Sequence, residues 1–334
     1  IRDTSVTGVQ TCALPIWKMN DEDVFWDPLP MFHMSSILPF IGCSISKSTF
    51  LSTIHFNPDE AIKVLIEKEV SIAFPAFPAV MVALSNHNKF TPDNLSKLRI
   101  INNVAPIETL RTFQNKVPQA SQVSAYGLTE VGGVTSFGSP DDPLEHRLTT
   151  CGKPWPEVEI RILDPETNQV LSNEEKGLIE IRGPHVFSGY LNDKEATKNA
   201  LSDDGWFSTG DVGSLTNDGY IRYHGRIKDM LKVGGENVAA LEIEAYFDSH
   251  EKVLISQVIG IEDDHLGEVP AVFIEKKPGV KISKDELVDF CKGQISNFKI
   301  PRYIVFVNEW PMSSTKVQKF KLKDLDLGEK VFGN

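Results

Sequence analysis

Residues 59–74 read DEAIKVLIEKEVSIAF, and within that stretch the hydrophobic period changes from helical to extended. Ile62, Leu65, Ile66 and Val70 recur at the spacing of one helical face, which predicts an amphipathic helix. SIAF at 71–74 then has the length and content of a short buried strand. The step repeats: LRII at 98–101 reads as strand, PIETLRTFQNKV at 106–117 as helix with Pro106 at its first position, and SQVSA at 121–125 as strand. Such alternation predicts an α/β fold with a parallel sheet flanked by helices.

Further along, the pattern shifts to short strands joined by turn signals. VEIRIL at 158–163, LIEIRG at 178–183 and YIRY at 220–223, with the turn Asn217-Asp218-Gly219, predict a small β subdomain over about residues 150–224. The large domain is thus expected over residues 17–224. A second unit follows at 229–334: VLISQVIGI at 253–261 and VPAVFIEK at 269–276 read as paired strands, and RYIVFVN at 302–308 as a further strand. Ser283 and Glu286 form a capping box ahead of the helix DELVDFCKGQI. This is a small α+β C-terminal domain. Between the two lies HGRIKDMLKVGGENVAALEIE at 224–244, with positive charge gathered around Gly234 and Gly235.

The 334 residues are 41% apolar and 24% charged, ordinary globular usage for a chain long enough for two domains. A formal net charge of −12 argues against a nucleic-acid partner. No run approaches a membrane span; the most apolar early stretch, SSILPFIGCSI, is broken by Pro39 and serines, so no integral membrane segment is expected. Four cysteines at 12, 43, 151 and 291 show neither a metal-binding spacing nor a disulfide framework, which fits a reducing, cytoplasmic setting. Residues 1–16, IRDTSVTGVQTCALPI, lack either structural period and the layout of a signal peptide, and they resemble a translated adaptor. They are set aside as a non-native leader. With no initiating Met, the chain is expected to be the C-terminal part of a longer protein.

Four segments carry groups suited to chemistry. YGLTE at 126–130 follows a predicted strand and offers an aromatic ring, a hydroxyl and a carboxylate at the edge where α/β sheets bind ligands. Tyr126 could stack a base, Thr129 contact phosphate and Glu130 hold Mg²⁺; a plain strand-to-loop turn with a solvated Glu is the alternative. STGD at 208–211 and GRIKD at 225–229 put Asp211 and Arg226 on either side of a hairpin turn. As strand ends they could meet, the carboxylate suiting ribose hydroxyls and the guanidinium a sugar or phosphate oxygen; a surface ion pair is the bland equivalent. PMSSTKVQKFKLK at 311–323 aims Lys316 from a run of small hydroxyl residues. Lys319, Lys321 and Lys323 alternate behind it and predict the solvated face of an edge strand.

Together YGLTE, GLIEIRGPHVFSGYL at 177–191, STGD, GRIKDMLKVGGENV and PMSSTKVQKFKL stand in the order and spacing of the adenylate-forming superfamily. The chain resembles its acyl-CoA synthetases, and PLPMFH at 28–33 resembles that family's aromatic-plus-His segment. The resemblance implies a two-step reaction: a carboxylic acid attacks Mg·ATP to give an acyl-adenylate, and coenzyme A then displaces AMP. It implies that Tyr126 and Gly127, with the backbone of Val104, Ala105 and Pro106 opposite, hold adenine. Thr129 would bind phosphate, Glu130 Mg²⁺, Asp211 the ribose, and Arg226 the nucleotide. Lys316 would bridge the acid and the α-phosphate. His33, Val131 and Gly132, with the segment from Phe74 to Phe77, would line the pocket for a fatty or aryl acid. Lys228, within a hinge at 225–228, would let the C-terminal domain move, and Gly234 and Gly235 would clear space for the CoA arm.

Two departures qualify the match. Residues 1–27 contain no Ser/Thr/Gly-rich phosphate loop ending in Lys-Gly, so the large domain is expected to be incomplete and the chain inactive by itself. Thr315 also stands where many relatives have Gly. A non-ribosomal adenylation domain and a non-catalytic nucleotide-binding remnant are the other readings of the same motifs. No residue speaks for luciferase chemistry.

Overall fold

The computed structural model describes residues 15–332 except 54, 77, 106 and 313–316, and leaves aside the side chains of 78, 79 and 108. The chain divides between Tyr223 and His224 into two compact units.

The first unit is built on the expected parallel sheet. Its strands are β1 (Val24–Asp27), β2 (Thr49–Ser52), β3 (Ile72–Ala76), β4 (Ile100–Asn103) and β5 (Ser121–Val123), ordered β2-β1-β3-β4-β5 and parallel throughout. Helices α1 (Met34–Ser46), α2 (Pro58–Glu67), α3 (Pro78–Ser85) and α4 (Ile107–Lys116) alternate with them. The stretch at 59–74 folds as its periods require: Asn57 caps α2 by accepting from the Glu60 N–H, Pro58 begins the helix, and Ile62 and Leu65 are buried. Successive strand residues serve opposite faces. Trp26, Ala73 and Ile101 join the core that packs Ile62, Leu65, Met81, Leu84 and Phe113. Phe25, Ile72, Phe74 and Ile100 join a second core with Trp17, Leu38, Phe137 and Trp155, against which Ile16 also packs. A sheet buried on both faces reads as near-continuous apolar strands, and the central β3 (IAFPA) does, whereas the outer strands β2 (TFLS) and β5 (SQV) carry polar residues.

Beyond this sheet, β6 (Ala125–Tyr126), β7 (Ser136–Phe137) and β8 (Lys153–Pro154) form a small antiparallel sheet, with α5 (Leu144–Thr149) between the last two. The expected β subdomain is a four-stranded sheet in the order β12-β11-β10-β9: β9 (Glu159–Leu163), β10 (Gly177–Arg182), β11 (Phe207–Leu215) and β12 (Ile221–Arg226). Helix α6 (Lys194–Ala200) precedes β11.

In the second unit, β13 (Met230–Val233) and β14 (Glu236–Ala239) make a hairpin, α7 (Ala240–Asp248) follows, and β15 (Val253–Asp263) pairs antiparallel with β16 (Gly267–Lys276). Helix α8 (Lys284–Cys291) leads to β17 (Tyr303–Phe306), which lies parallel to β16. Ser283 Oγ accepts from the Glu286 N–H at 3.1 Å, as the capping box predicts.

One expectation fails here. Residues 319–324 form a short 3₁₀ turn, not an edge strand, and Lys319 is not solvated: its ammonium reaches Glu244 Oε1 at 2.5 Å, and that carboxylate is only 6% exposed. Lys321 and Lys323 are exposed. Leu322, between them, is fully buried, so the alternation marks one apolar residue anchoring a turn.

Candidate nucleotide-binding site

Tyr126 ends β6, and the loop after it folds back tightly. The Thr135 N–H donates to Tyr126 O at 2.8 Å and the Gly133 N–H to Leu128 O at 2.9 Å. A Cβ on Gly127 would sit 2.4 Å from Gly133 O and from Val134 Cα, so only glycine permits this closure. The loop holds one 3₁₀ turn, Thr129–Val131, that leaves Thr129 exposed and Glu130 partly so, and buries Val131.

Tyr126 and Asp211 meet. The phenol donates to Asp211 Oδ2 at 2.8 Å, both residues being buried. Burial, and then the Asp211 charge, push the Tyr126 hydroxyl well above its ordinary pKa, so it stays a donor. The Asp211 N–H is held by Thr209 Oγ1 at 3.1 Å, which itself donates to Ile179 O at 2.8 Å. Asp211 lies inside the nine-residue β11 and not at a strand end, correcting the sequence expectation. The Tyr126 ring lies 5.9 Å from that of Tyr223.

Glu130 has a partner the sequence did not disclose: Tyr190 Oη donates to Glu130 Oε1 at 3.0 Å. Burial and this carboxylate raise the Tyr190 pKa. Tyr190 lies within the GLIEIRGPHVFSGYL segment, but nothing in its neighbourhood signals a partner 60 residues earlier in the chain. Among the described residues no group of three or more His, Cys, Asp or Glu could hold a metal alone. A single half-exposed carboxylate with one oxygen engaged fits Mg²⁺ only as it arrives with ATP phosphates, the usual situation for that ion.

The remaining residues fall in several places. Val104 and Ala105 follow β4 at the carboxyl edge of the parallel sheet, the Val104 N–H donating to Ala76 O at 3.1 Å, and Pro106 lies outside the described residues. His33 caps α1: its Nδ1 accepts from the Ser35 N–H at 3.2 Å and meets Ser35 Oγ at 2.7 Å. The start of α1 touches the YGLTE loop, since a Cβ on Gly133 would lie 3.1 Å from Met34 Cβ. His33, Val131 and Gly132 therefore belong to neighbouring segments. Phe74 is buried in the core and Phe77 lies outside the described residues.

Arg226 ends β12, three residues past the division after Tyr223, and Lys228, Gly234 and Gly235 follow it in the second unit. Lys228 is exposed in a 3₁₀ turn at Ile227–Asp229. Gly234 and Gly235, at φ +62 and +90, are the two turn residues of the β13–β14 hairpin, in which Val233 pairs with Glu236. A two-residue turn with both φ positive is one that glycine pairs favour, so the backbone alone accounts for them here. A Cβ on Gly235 would meet nothing within 4 Å. Lys316 lies outside the described residues.

A parallel sheet with nucleotide-type groups at its carboxyl edge, a β subdomain bringing an aspartate to the tyrosine of YGLTE, and a separate α+β unit define an adenylate-forming enzyme fold. The chain belongs to the AMP-binding enzyme family: that family's model matches residues 3–191, and the model of its C-terminal domain matches residues 242–317. Among curated proteins it is 35% identical over 311 residues to the putative acyl-CoA synthetase YngI of Bacillus subtilis, covering 92% of this chain and 56% of that protein. It is 35% identical over 303 residues to the human mitochondrial medium-chain acyl-CoA ligase ACSF2, covering 89% of this chain and 49% of that one. The chain thus spans about half the length of the curated relatives it matches. Among solved structures it superposes on ATP-bound MatB from Rhodopseudomonas palustris with a TM-score of 0.87 at 27% identity, over 96% of this chain and 63% of that one. It also superposes on o-succinylbenzoate CoA synthetase from Bacillus subtilis with its acyl-adenylate, TM-score 0.82 at 26% identity, over 98% and 66%. No helix among the described residues is long and apolar enough to cross a membrane.

Proposed function

We propose that these residues serve an ATP-dependent acid:CoA ligase acting on a fatty or aryl carboxylic acid, in two steps through an acyl-adenylate. The observation that carries the reading is the buried Tyr126–Asp211 hydrogen bond at 2.8 Å, which joins the two motifs suited to adenine and ribose. The acyl-CoA synthetase and ligase names of the relatives support the reaction class.

In this reading Tyr126 and Gly127, with the backbone of Val104, Ala105 and Pro106, take adenine; Asp211 takes the ribose hydroxyls and Arg226 steadies the nucleotide. Thr129 binds phosphate and Glu130 is the protein's ligand to Mg²⁺. The metal, when bound with ATP, neutralises charge on the phosphates. Lys316 lies between the acid and the α-phosphate, where negative charge builds as the carboxylate attacks. His33, Val131 and Gly132 border the acid. Lys228 is the hinge about which the C-terminal domain of 229–334 changes orientation between steps, and Gly234 and Gly235 then leave room for the pantetheine arm of CoA. The three described cysteines are buried free thiols, which supports a reducing, cytoplasmic setting.

The test is a separation of half-reactions. With this chain joined to an upstream phosphate loop, Lys316→Ala is expected to cut acid-dependent pyrophosphate release by about 10²–10³, the usual loss of a preorganised donor. Thioester formation from supplied acyl-adenylate should stay largely intact. Equal loss of both would overturn the assignment of Lys316, and failure of the chain to bind an acyl-adenylate analogue would overturn the site.

A further inference from the structure

We infer that Tyr190 is a positioning residue for the metal-facing carboxylate: its hydroxyl holds one oxygen of Glu130 and leaves the other for a metal that arrives with ATP. This rests on the proposed role of Glu130.

Glu130 starts from an unfavourable position for a ligand. It projects from a single 3₁₀ turn and is partly exposed, so its rotamers would otherwise be free. Ordering such a side chain costs conformational entropy. A ligand that must be ordered at the moment of binding binds weakly, and one already fixed does not bear that cost.

The Tyr190 phenol supplies the restraint. It donates at 3.0 Å to Oε1, a charge-assisted bond that engages one oxygen. The phenol is itself held from several sides. The Tyr190 main-chain N–H donates to Thr197 Oγ1 at 2.9 Å, and that hydroxyl donates to Asp193 O at 2.7 Å, one turn back at the start of α6. Asp193 in turn caps α6, accepting from the Ala196 N–H at 2.9 Å. Gly189 makes this approach possible: at φ +142, a Cβ there would lie 2.7 Å from Thr197 Cγ2. The edge of the Tyr190 ring meets Phe187 with centroids 4.8 Å apart, and the Phe187 N–H donates to Glu130 O at 2.8 Å. Residue 130 is thus tied to one loop twice, by main chain through Phe187 and by side chain through Tyr190.

General burial of the loop does not account for this. Leu191, the next residue, is 92% exposed, and Tyr190 itself is 38% exposed. A half-open tyrosine whose hydroxyl nevertheless points to a carboxylate is placed for that bond.

The experiment measures Mn²⁺ binding to this chain in the presence of ATP, from the enhancement of water proton relaxation that protein-bound Mn²⁺ gives over Mn²⁺·ATP in solution, with ATP affinity in EDTA measured alongside. Four proteins are compared: the unsubstituted chain, Tyr190→Phe, Glu130→Gln and the double variant. Tyr190→Phe keeps the ring and its packing on Phe187, and thermal melts check that it folds. The expected result is about a tenfold weaker Mn²⁺ affinity for Tyr190→Phe, the usual effect of removing a ligand's outer partner, with ATP affinity in EDTA unchanged. The double variant should be no weaker than Glu130→Gln alone, because a residue that acts through Glu130 has nothing to act on without that charge. Tyr190→Phe equal to the unsubstituted chain, or losses that add in the double variant, would overturn the positioning role while leaving Glu130 as ligand. Glu130→Gln without effect, or no Mn²⁺ binding by the unsubstituted chain, would overturn the ligand assignment beneath it.

Discussion

Replacing Lys319 with Met should expose how the end of the chain is fastened. The Glu244 carboxylate is 6% exposed and takes two donors at Oε1, the Lys319 ammonium at 2.5 Å and the Val258 N–H at 2.7 Å. Lys319→Met removes the only cation the structure gives that carboxylate among the described residues. Stripping one partner from a buried pair costs about 3–5 kcal/mol, chiefly because a charge is left without compensation. Lys319 is 26% exposed, so water softens the loss, and about 2–3 kcal/mol is the figure to expect. Hydrogen exchange of amides in α7 and β15 reads it directly: at tenfold per 1.4 kcal/mol, opening should become about 30- to 150-fold more frequent. Adding Glu244→Gln removes the stranded charge while an amide oxygen still accepts from Val258, and most of the protection should return. Exchange in Lys319→Met within threefold of the unsubstituted chain, or a double variant as exposed as the single one, would refute the reasoning.

Two further outcomes follow from the second unit. Burial, opposed by its bonds from Ser256 and reinforced by Glu244, raises the Asp248 pKa from 3.8 to about 7. A carboxylate whose folded pKa lies above its unfolded value favours folding when protonated. Its stabilisation is lost as pH climbs from about 4 through 7, by up to about 4 kcal/mol at 1.36 per unit. Asp248→Asn keeps an oxygen for Ser256, so it should match the unsubstituted chain in urea at pH 4 and exceed it at pH 8; equal midpoints at both would remove the pH claim. Gly234→Asn gives the hairpin an Asn-Gly turn that the backbone accepts. If clearance for CoA is its second task, melting should be unchanged, adenylation intact and thioester formation slowed; unchanged thioester formation would leave the pair as a turn and nothing more.

What the residues revealed by themselves depended on whether the signal was local. The αβ step at 59–74 was legible because Ile62, Leu65 and Val70 keep a helical period and are buried as that period demands. The Ser283 cap was legible because both of its partners lie within four residues. Lys319 misled because alternation over five residues suits a half-exposed strand as well as a turn pinned by Leu322, and the deciding partner, Glu244, lies 75 residues away. Asp211 was read as a strand end because it and Arg226 flank the hairpin turn, whereas pairing with β10 sets it inside a strand of nine residues. Tyr190 could be quoted in a motif without its task being visible, since a phenol has no periodic signature.

The hydrogen bonds within the first unit also bear on how failures should divide. Residues 126–130, 187–190 and 209–211 are locked together by Tyr126 to Asp211, Tyr190 to Glu130, Phe187 to Glu130 and Thr209 to Ile179. Gly127 clamps the loop that carries Thr129 and Glu130 against its own return, with no room for one methyl group. Such a site has little freedom to adjust, because each group is fixed by a neighbour from another segment. A substitution that loosens the Tyr126–Asp211 bond should therefore weaken adenosine binding and so harm both half-reactions, since the acyl-adenylate presents the same adenosine as ATP. Tyr190→Phe instead acts on the metal through Glu130 and spares ATP binding in EDTA. Lys316, proposed for the first step, and Gly234 with Gly235, proposed for the second, lie beyond Tyr223, where the chain divides. Selective loss of one half-reaction is thus expected from changes at Lys316 or the glycine pair, and parallel loss of both from changes at Tyr126 or Asp211.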